Sequence, residues 1–174
     1  SGHRRRVCTR SVGGFGSGKT VSLAIRTFLL CNHIPRNRII ILRRTYRELM
    51  DSTYRTFMEW LPPDLYYDEK KSDNIVYVRD QNGTASEVLF RSLNNPEKFK
   101  SVEVGGVGID EATEATQDEF NMLWGRRNRL PHVHYPSIYM TTNPCNKSHW
   151  LYEMFVPNAV RGETLLVHTS TYQN

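Results

Sequence analysis

Residues 11–24 read SVGGFGSGKTVSLA, and this run decides how the rest of the chain is understood. Gly13 is followed by four residues and then by Gly18-Lys19-Thr20, the G-x-x-x-x-G-K-[ST] spacing of a phosphate-binding loop. The preceding RRRVCTRSV predicts a strand with a basic start. The following residues put Val21, Ala24, Ile25 and Phe28 on one face of a helix. Strand, glycine loop and helix together form the context the motif requires.

The residue types suit the chemistry. Gly13, Gly14, Gly16 and Gly18, with Phe15 and Ser17 between them, let backbone N–H groups approach phosphate oxygens. The N-terminus of the helix that follows adds its positive dipole end. Lys19 is expected to reach the β- and γ-phosphates of a nucleotide, and the Thr20 hydroxyl to bind Mg²⁺.

The chain of 174 residues is long enough for one domain with a substantial core. Its net charge of +5 permits an anionic partner without requiring one. Cys8, Cys31 and Cys145 form no C-x-x-C pair, which points to a reducing compartment and away from a zinc site. His132 with His134, and Cys145 with His149, have metal-ligand spacing but read as loop residues. No apolar run approaches the ~20 residues of a membrane span, so no membrane partner is expected.

Strand and helix patterns alternate along the chain. Asn37–Arg44 predicts a buried strand. Tyr46, Leu49, Thr53, Phe57 and Leu61 step at helical spacing, and Pro62-Pro63 stops that helix. NIVYVRD and SEVLFRS flank Gln81-Asn82-Gly83 as a hairpin. VEVGGVGIDEA is a buried strand ending in acids. Thr116 and Glu119 form a capping box at a helix start. SIYMTTNP is a strand ending in polar residues, followed by a short helix near 149–156 and a last strand, ETLLVHTS. The expected architecture is α/β, with a mostly parallel central sheet and helices on both faces.

A phosphate loop needs an acidic partner. Ligands of open α/β sheets lie beyond the carboxyl ends of the strands. Asp110 is therefore expected beside the phosphates, holding Mg²⁺ directly or through water. Glu111 is placed to deprotonate an attacking water. Such a water-activating acid suits an ATPase better than a small-molecule kinase. NKSH, residues 146–149, has His149 where a guanine-binding N-K-x-D needs Asp. Thr141, Thr142 and Asn143 end a strand, where polar side chains can sense the γ-phosphate and couple hydrolysis to motion. A helicase-like nucleic-acid ATPase remains an alternative, because DEAT resembles its acidic box. A nucleotide-binding assembly module without hydrolysis is another.

These stretches together resemble the ATPase domain of the large terminase subunit of tailed phages. The resemblance is carried by GGFGSGKT, ILRRTYRELMDST, FRSLNNPEKFKS, VGIDEATEA, MTTNP and the final TSTYQN, in this order. It implies an additional-strand, catalytic-glutamate P-loop ATPase that uses ATP and Mg²⁺. The partners it implies are double-stranded DNA, the portal protein, the small terminase subunit and further copies of the chain in a ring, expected as a pentamer. The implied setting is the host cell cytoplasm. On this reading residues 1–174 are a single ATPase domain from a longer protein, with the family's RNase H-like nuclease domain beyond it. Phe15 departs from the family loop, which often carries Arg there. The resemblance also implies a trans-acting finger, for which Arg91 and Lys100 are candidates. Arg126, Arg127 and Arg129 read as solvated or DNA-facing charges. Arg43 and Arg44 end a strand on the nucleotide side, where they can meet ribose, phosphate or a neighbouring acid.

Overall fold

The computed structural model describes residues 7–14, 18–126, 130–134, 136–160 and 163–169. Phe15, Gly16, Ser17, Arg127, Arg129 and the last residues of TSTYQN lie outside the described residues. Strand β1 (Val7–Gly13) leads through the glycine loop into α1 (Lys19–His33). Strand β2 (Arg38–Arg43) is followed by α2 (Tyr46–Glu48), a π-helical turn (Leu49–Tyr54) and α3 (Arg55–Trp60). Then come β3 (Tyr66–Lys70), β4 (Ile75–Arg79), β5 (Ala85–Ser92) and β6 (Gly106–Ile109). Helix α4 (Gln117–Arg126), β7 (Ser137–Thr142), α5 (Trp150–Phe155) and β8 (Thr164–Thr169) complete the order.

The strands form a sheet in the order β3-β4-β5-β2-β6-β7-β1-β8. Every described pairing is parallel except those of β4 with β3 and β5. Strand β7 therefore stands between the loop-bearing β1 and the acidic β6. Register aligns Arg91, Leu42, Ile109, Met140, Arg10 and Leu166 across six strands. One step further on, the carboxyl ends open onto a common edge.

Both faces of the sheet are covered. Ile39 and Ile41 of β2 join Leu23, Ala24 and Phe28 of α1, and Phe57 of α3, in one core. Ile40 and Leu42, their alternating neighbours, join Phe120 and Leu123 of α4, and Leu151 and Phe155 of α5, in the other. This alternation explains why β2 reads as a continuous apolar run.

The structure corrects three details of the sequence reading. The core face of α1 is Leu23, Ala24, Thr27, Phe28 and Cys31. Ile25, expected on that face, is 43% exposed, because the buried stripe is rotated toward Leu23 and Thr27. Tyr46 likewise faces outward, donating to Asn74 Oδ1 at 3.0 Å. Strand β3 is an addition that the sequence does not announce. Its residues, YYDEK, are mostly exposed at the sheet edge and carry no alternation of apolar side chains.

The punctuation follows the sequence. Leu61 turns to an extended conformation before Pro62, as a residue preceding proline should. The hairpin loop is organised by Asp80, which accepts from the backbone N–H of Asn82 and Thr84 at 3.0 Å each. Gly83 there takes φ 75°. The capping box forms in full: Glu119 N–H donates to Thr116 Oγ1 at 3.2 Å, and Thr116 N–H donates to Glu119 Oε2 at 2.8 Å.

Candidate active site

Gly18 adopts φ 70°, a left-handed conformation that lets the loop turn directly into α1. The next residue, Lys19, is buried. Its ammonium donates to the carbonyls of Gly13 at 2.8 Å and Gly14 at 2.7 Å, and to Asn143 Oδ1 at 3.1 Å. The loop of β1 is thus tied through one cation to the end of β7.

Asp110 follows β6 and is 1% exposed. Three threonine hydroxyls converge on its carboxylate. Thr141 donates to Oδ1 at 2.5 Å and Thr53 to Oδ2 at 2.6 Å. Thr20 lies 3.3 Å from both oxygens. The Arg43 guanidinium, at the end of β2, stands 3.9 Å from Oδ2. A carboxylate accepts only, so this ring of donors fixes the Asp110 side chain in one orientation. The all-oxygen donor set of Thr20 and Asp110 fits a hard cation such as Mg²⁺.

Glu111 leaves the strand line through a left-handed backbone, φ 51° and ψ 56°. Its Oε2 accepts from Asn143 Nδ2 at 3.0 Å. Asn143 therefore bridges Lys19 on its oxygen and Glu111 on its amide nitrogen. Burial, and then the neighbouring Asp110 charge, raise the Glu111 pKa above the usual carboxylate range, while Lys19 and Arg43 oppose the shift. Thr142 turns away and donates to the Asn143 carbonyl at 2.9 Å, which steadies the end of β7.

Gly13, Gly14, Gly18, Lys19, Thr20, Asp110, Glu111, Thr141 and Asn143 meet at one edge of the sheet. The two finger candidates lie apart from this cluster of contacts. Arg91 donates to the carbonyls of Asp73 at 2.7 Å and Phe90 at 2.8 Å. Lys100 pairs with Glu97 at 2.6 Å. Arg44 is structural, with Nη1 and Nη2 each 2.9 Å from a Glu119 carboxylate oxygen. His149 caps α5, accepting from Leu151 N–H at 3.2 Å. No group of three or more His, Cys, Asp or Glu among the described residues could hold a metal ion.

Sequence reasoning finds Thr53 only as a core step of a helix. The one signal for it is a hydroxyl within the buried series Leu49, Thr53, Phe57 and Leu61. Arg43 could meet ribose, phosphate or an acid on sequence grounds, and the neighbour it finds in the structure is Asp110.

A family model for the phage terminase large subunit matches residues 6–174. The chain belongs to the phage terminase large subunit family. The PBSX phage terminase large subunit of Bacillus subtilis (strain 168) is 29% identical over 164 residues, covering 93% of this chain and 37% of its own length. The fold of this terminase chain is similar to that of the large terminase of a thermophilic bacteriophage in complex with ATP-gamma-S. The TM-score is 0.77 at 14% identity, over 97% of this chain and 41% of that one. A variant of the ATPase domain of the Thermus phage P74-26 large terminase matches with a TM-score of 0.69 at 14% identity, over 92% of this chain and 75% of that one. The terminase chain thus spans about two-fifths of the length of the first two relatives.

Proposed function

We propose that this chain is the ATP-hydrolysing motor domain of a large terminase subunit, powering translocation of double-stranded viral DNA into a capsid. The observation that carries the reading is the Lys19–Asn143–Glu111 bridge beside the hydroxyl-ringed Asp110. Family membership and the nucleotide-bound fold relative support it.

Each residue has a task in this reading. Backbone N–H groups of the loop from Gly13 to Gly18 cradle the phosphates. Lys19 carries the positive charge that faces the β- and γ-phosphates. Thr20 and Asp110 would hold Mg²⁺, which when bound neutralises charge on the phosphate oxygens. Glu111 accepts the proton of the attacking water, whose oxygen bonds to the γ-phosphorus as ADP leaves. A base with a raised pKa takes that proton more readily than an ordinary surface carboxylate. Asn143 touches both the phosphate-side cation and the base, so a change at one is felt by the other and by β7. Thr141 and Thr142 belong to the same strand end and couple it to Asp110 and to the chain beyond.

The partners in this proposal are duplex DNA, the portal, the small subunit and a ring of like chains, five as expected from the family. The setting is the infected host's cytoplasm. Arg91 and Lys100 are the candidates for a charge offered to a neighbouring subunit. Either would have to exchange its intrachain bonds for that contact.

The test is Lys19→Ala, with ATP binding followed by titration calorimetry. Binding is expected to fall below detection. Unchanged affinity would remove the basis of the proposal.

A further inference from the structure

The buried series Leu49, Thr53, Phe57 and Leu61 has a spacing of four throughout. On a regular α-helix, residues four apart drift around the axis by about 40° per step. Over the two steps from Leu49 to Phe57 that drift would reach about 80°. The chain here is not a regular α-helix. Between α2 and α3 the six residues Leu49–Tyr54 form a π turn. Its wider i→i+5 winding corrects the drift within this segment. Leu49 and Phe57 enter the core on either side, and Thr53, 1% exposed, is aimed at the site.

The hydroxyl of Thr53 donates to Asp110 Oδ2 at 2.6 Å. Thr141 donates to the other oxygen at 2.5 Å. Two hydroxyls from opposite sides thus fix the rotation of the carboxylate, and Thr20 meets it between them, 3.3 Å from each oxygen. Arg43 supports the same oxygen as Thr53 only from 3.9 Å. Loss of the Thr53 hydroxyl would leave Oδ2 with no hydroxyl donor nearer than Thr20 among the described residues.

We infer that Thr53 is a positioning residue that orients Asp110 toward Thr20 for magnesium-dependent nucleotide binding, and that the π turn keeps it in register. This rests on the function proposed above. Thr53 acts on the nucleotide only through Asp110. Groups that hydrogen-bond a metal-binding carboxylate commonly set affinity by about 10- to 100-fold.

The experiment compares Thr53→Val, Thr53→Ser and Lys19→Ala in the full chain. Equilibrium binding of a fluorescent ATP analogue is followed across a Mg²⁺ series and in EDTA. Thr53→Val keeps the shape but loses the hydroxyl. Its magnesium midpoint is expected to rise about tenfold or more, with metal-free binding unchanged. Thr53→Ser keeps the hydroxyl and is expected to restore the wild-type midpoint. Thr53→Ala gives the same reading should the valine variant fail to fold. A wild-type midpoint in the valine or alanine variant overturns the inference. So does an equal shift in valine and serine variants, because keeping the hydroxyl would then not keep the midpoint. Abolished binding in Lys19→Ala beside a silent Thr53→Val overturns this inference alone. Intact binding in Lys19→Ala overturns the proposed function and this inference with it.

Discussion

Glu111 combines three properties seldom found in one surface acid: a left-handed backbone, an amide donor from Asn143 and a raised pKa. Burial contributes most to the shift, followed by Asp110. Its base form is needed for hydrolysis, so the rate is expected to fall on the acid side with a midpoint above the usual glutamate value. A pH–rate profile of single-turnover hydrolysis checks this. Glu111→Gln should bind ATP yet hydrolyse it roughly 10²-fold more slowly or worse, as befits a lost general base. The same substitution makes a stability prediction. A carboxyl whose pKa is raised by folding contributes stability that is present at low pH and lost as pH rises through the folded value. Glutamine carries no charge to bury, so the melting temperature of Glu111→Gln should exceed that of the parent at neutral pH and converge with it in acid. A pair of thermal melts at two pH values decides it.

The elements divide into those the sequence announces and those it conceals. Strand β2 announces itself because both its faces are buried, so every interior position is apolar. Helix α4 does so because Thr116 and Glu119 cap it reciprocally. Thr116→Ala is expected to cost about 1 kcal/mol, read by denaturant unfolding. Strand β3 is concealed because an edge strand paired on one side needs no apolar face. The π turn is concealed because its spacing of four passes for an ordinary helix. Thr53 is hidden with it, so one of the hydroxyls on Asp110 goes unread, while Lys19, Thr20, Asp110 and Glu111 stand in plain motifs. Phosphate loops and acids carry fixed spacings in sequence. A contact between residues 53 and 110 carries none. Just before β6, a Cβ on Gly105 would lie 2.3 Å from Asn37 Oδ1 and 2.6 Å from a Val133 methyl. Gly105→Ala should therefore destabilise the chain by about 1–3 kcal/mol, as overpacking does.

At the scale of the whole molecule, a net charge of +5 is modest for the DNA-translocating role proposed above. A translocating motor gains nothing from reading bases, so its contacts should fall on phosphates. Binding of random duplexes by this chain alone is expected to be weak, indifferent to sequence and lost with added salt as counterions return. In the proposed ring, several such weak contacts would add up to avidity. Fluorescence anisotropy over a salt series, with several unrelated duplexes, tests all three. Tight, salt-resistant preference for one sequence would contradict the motor reading.

The position of β7 has a consequence for the chain during its synthesis. Strands β1 and β6 are both made before residue 110, yet they do not pair with each other; each pairs with β7, residues 137–142. A nascent chain that has not yet released β7 from the ribosome holds the glycine loop and both acids with no strand to bring them together. Asn143, the bridge between cation and base, emerges later still. On the function proposed above, a half-made chain is unable to turn over nucleotide, and turnover begins only when the middle of the sheet is closed by one of the last strands to be translated.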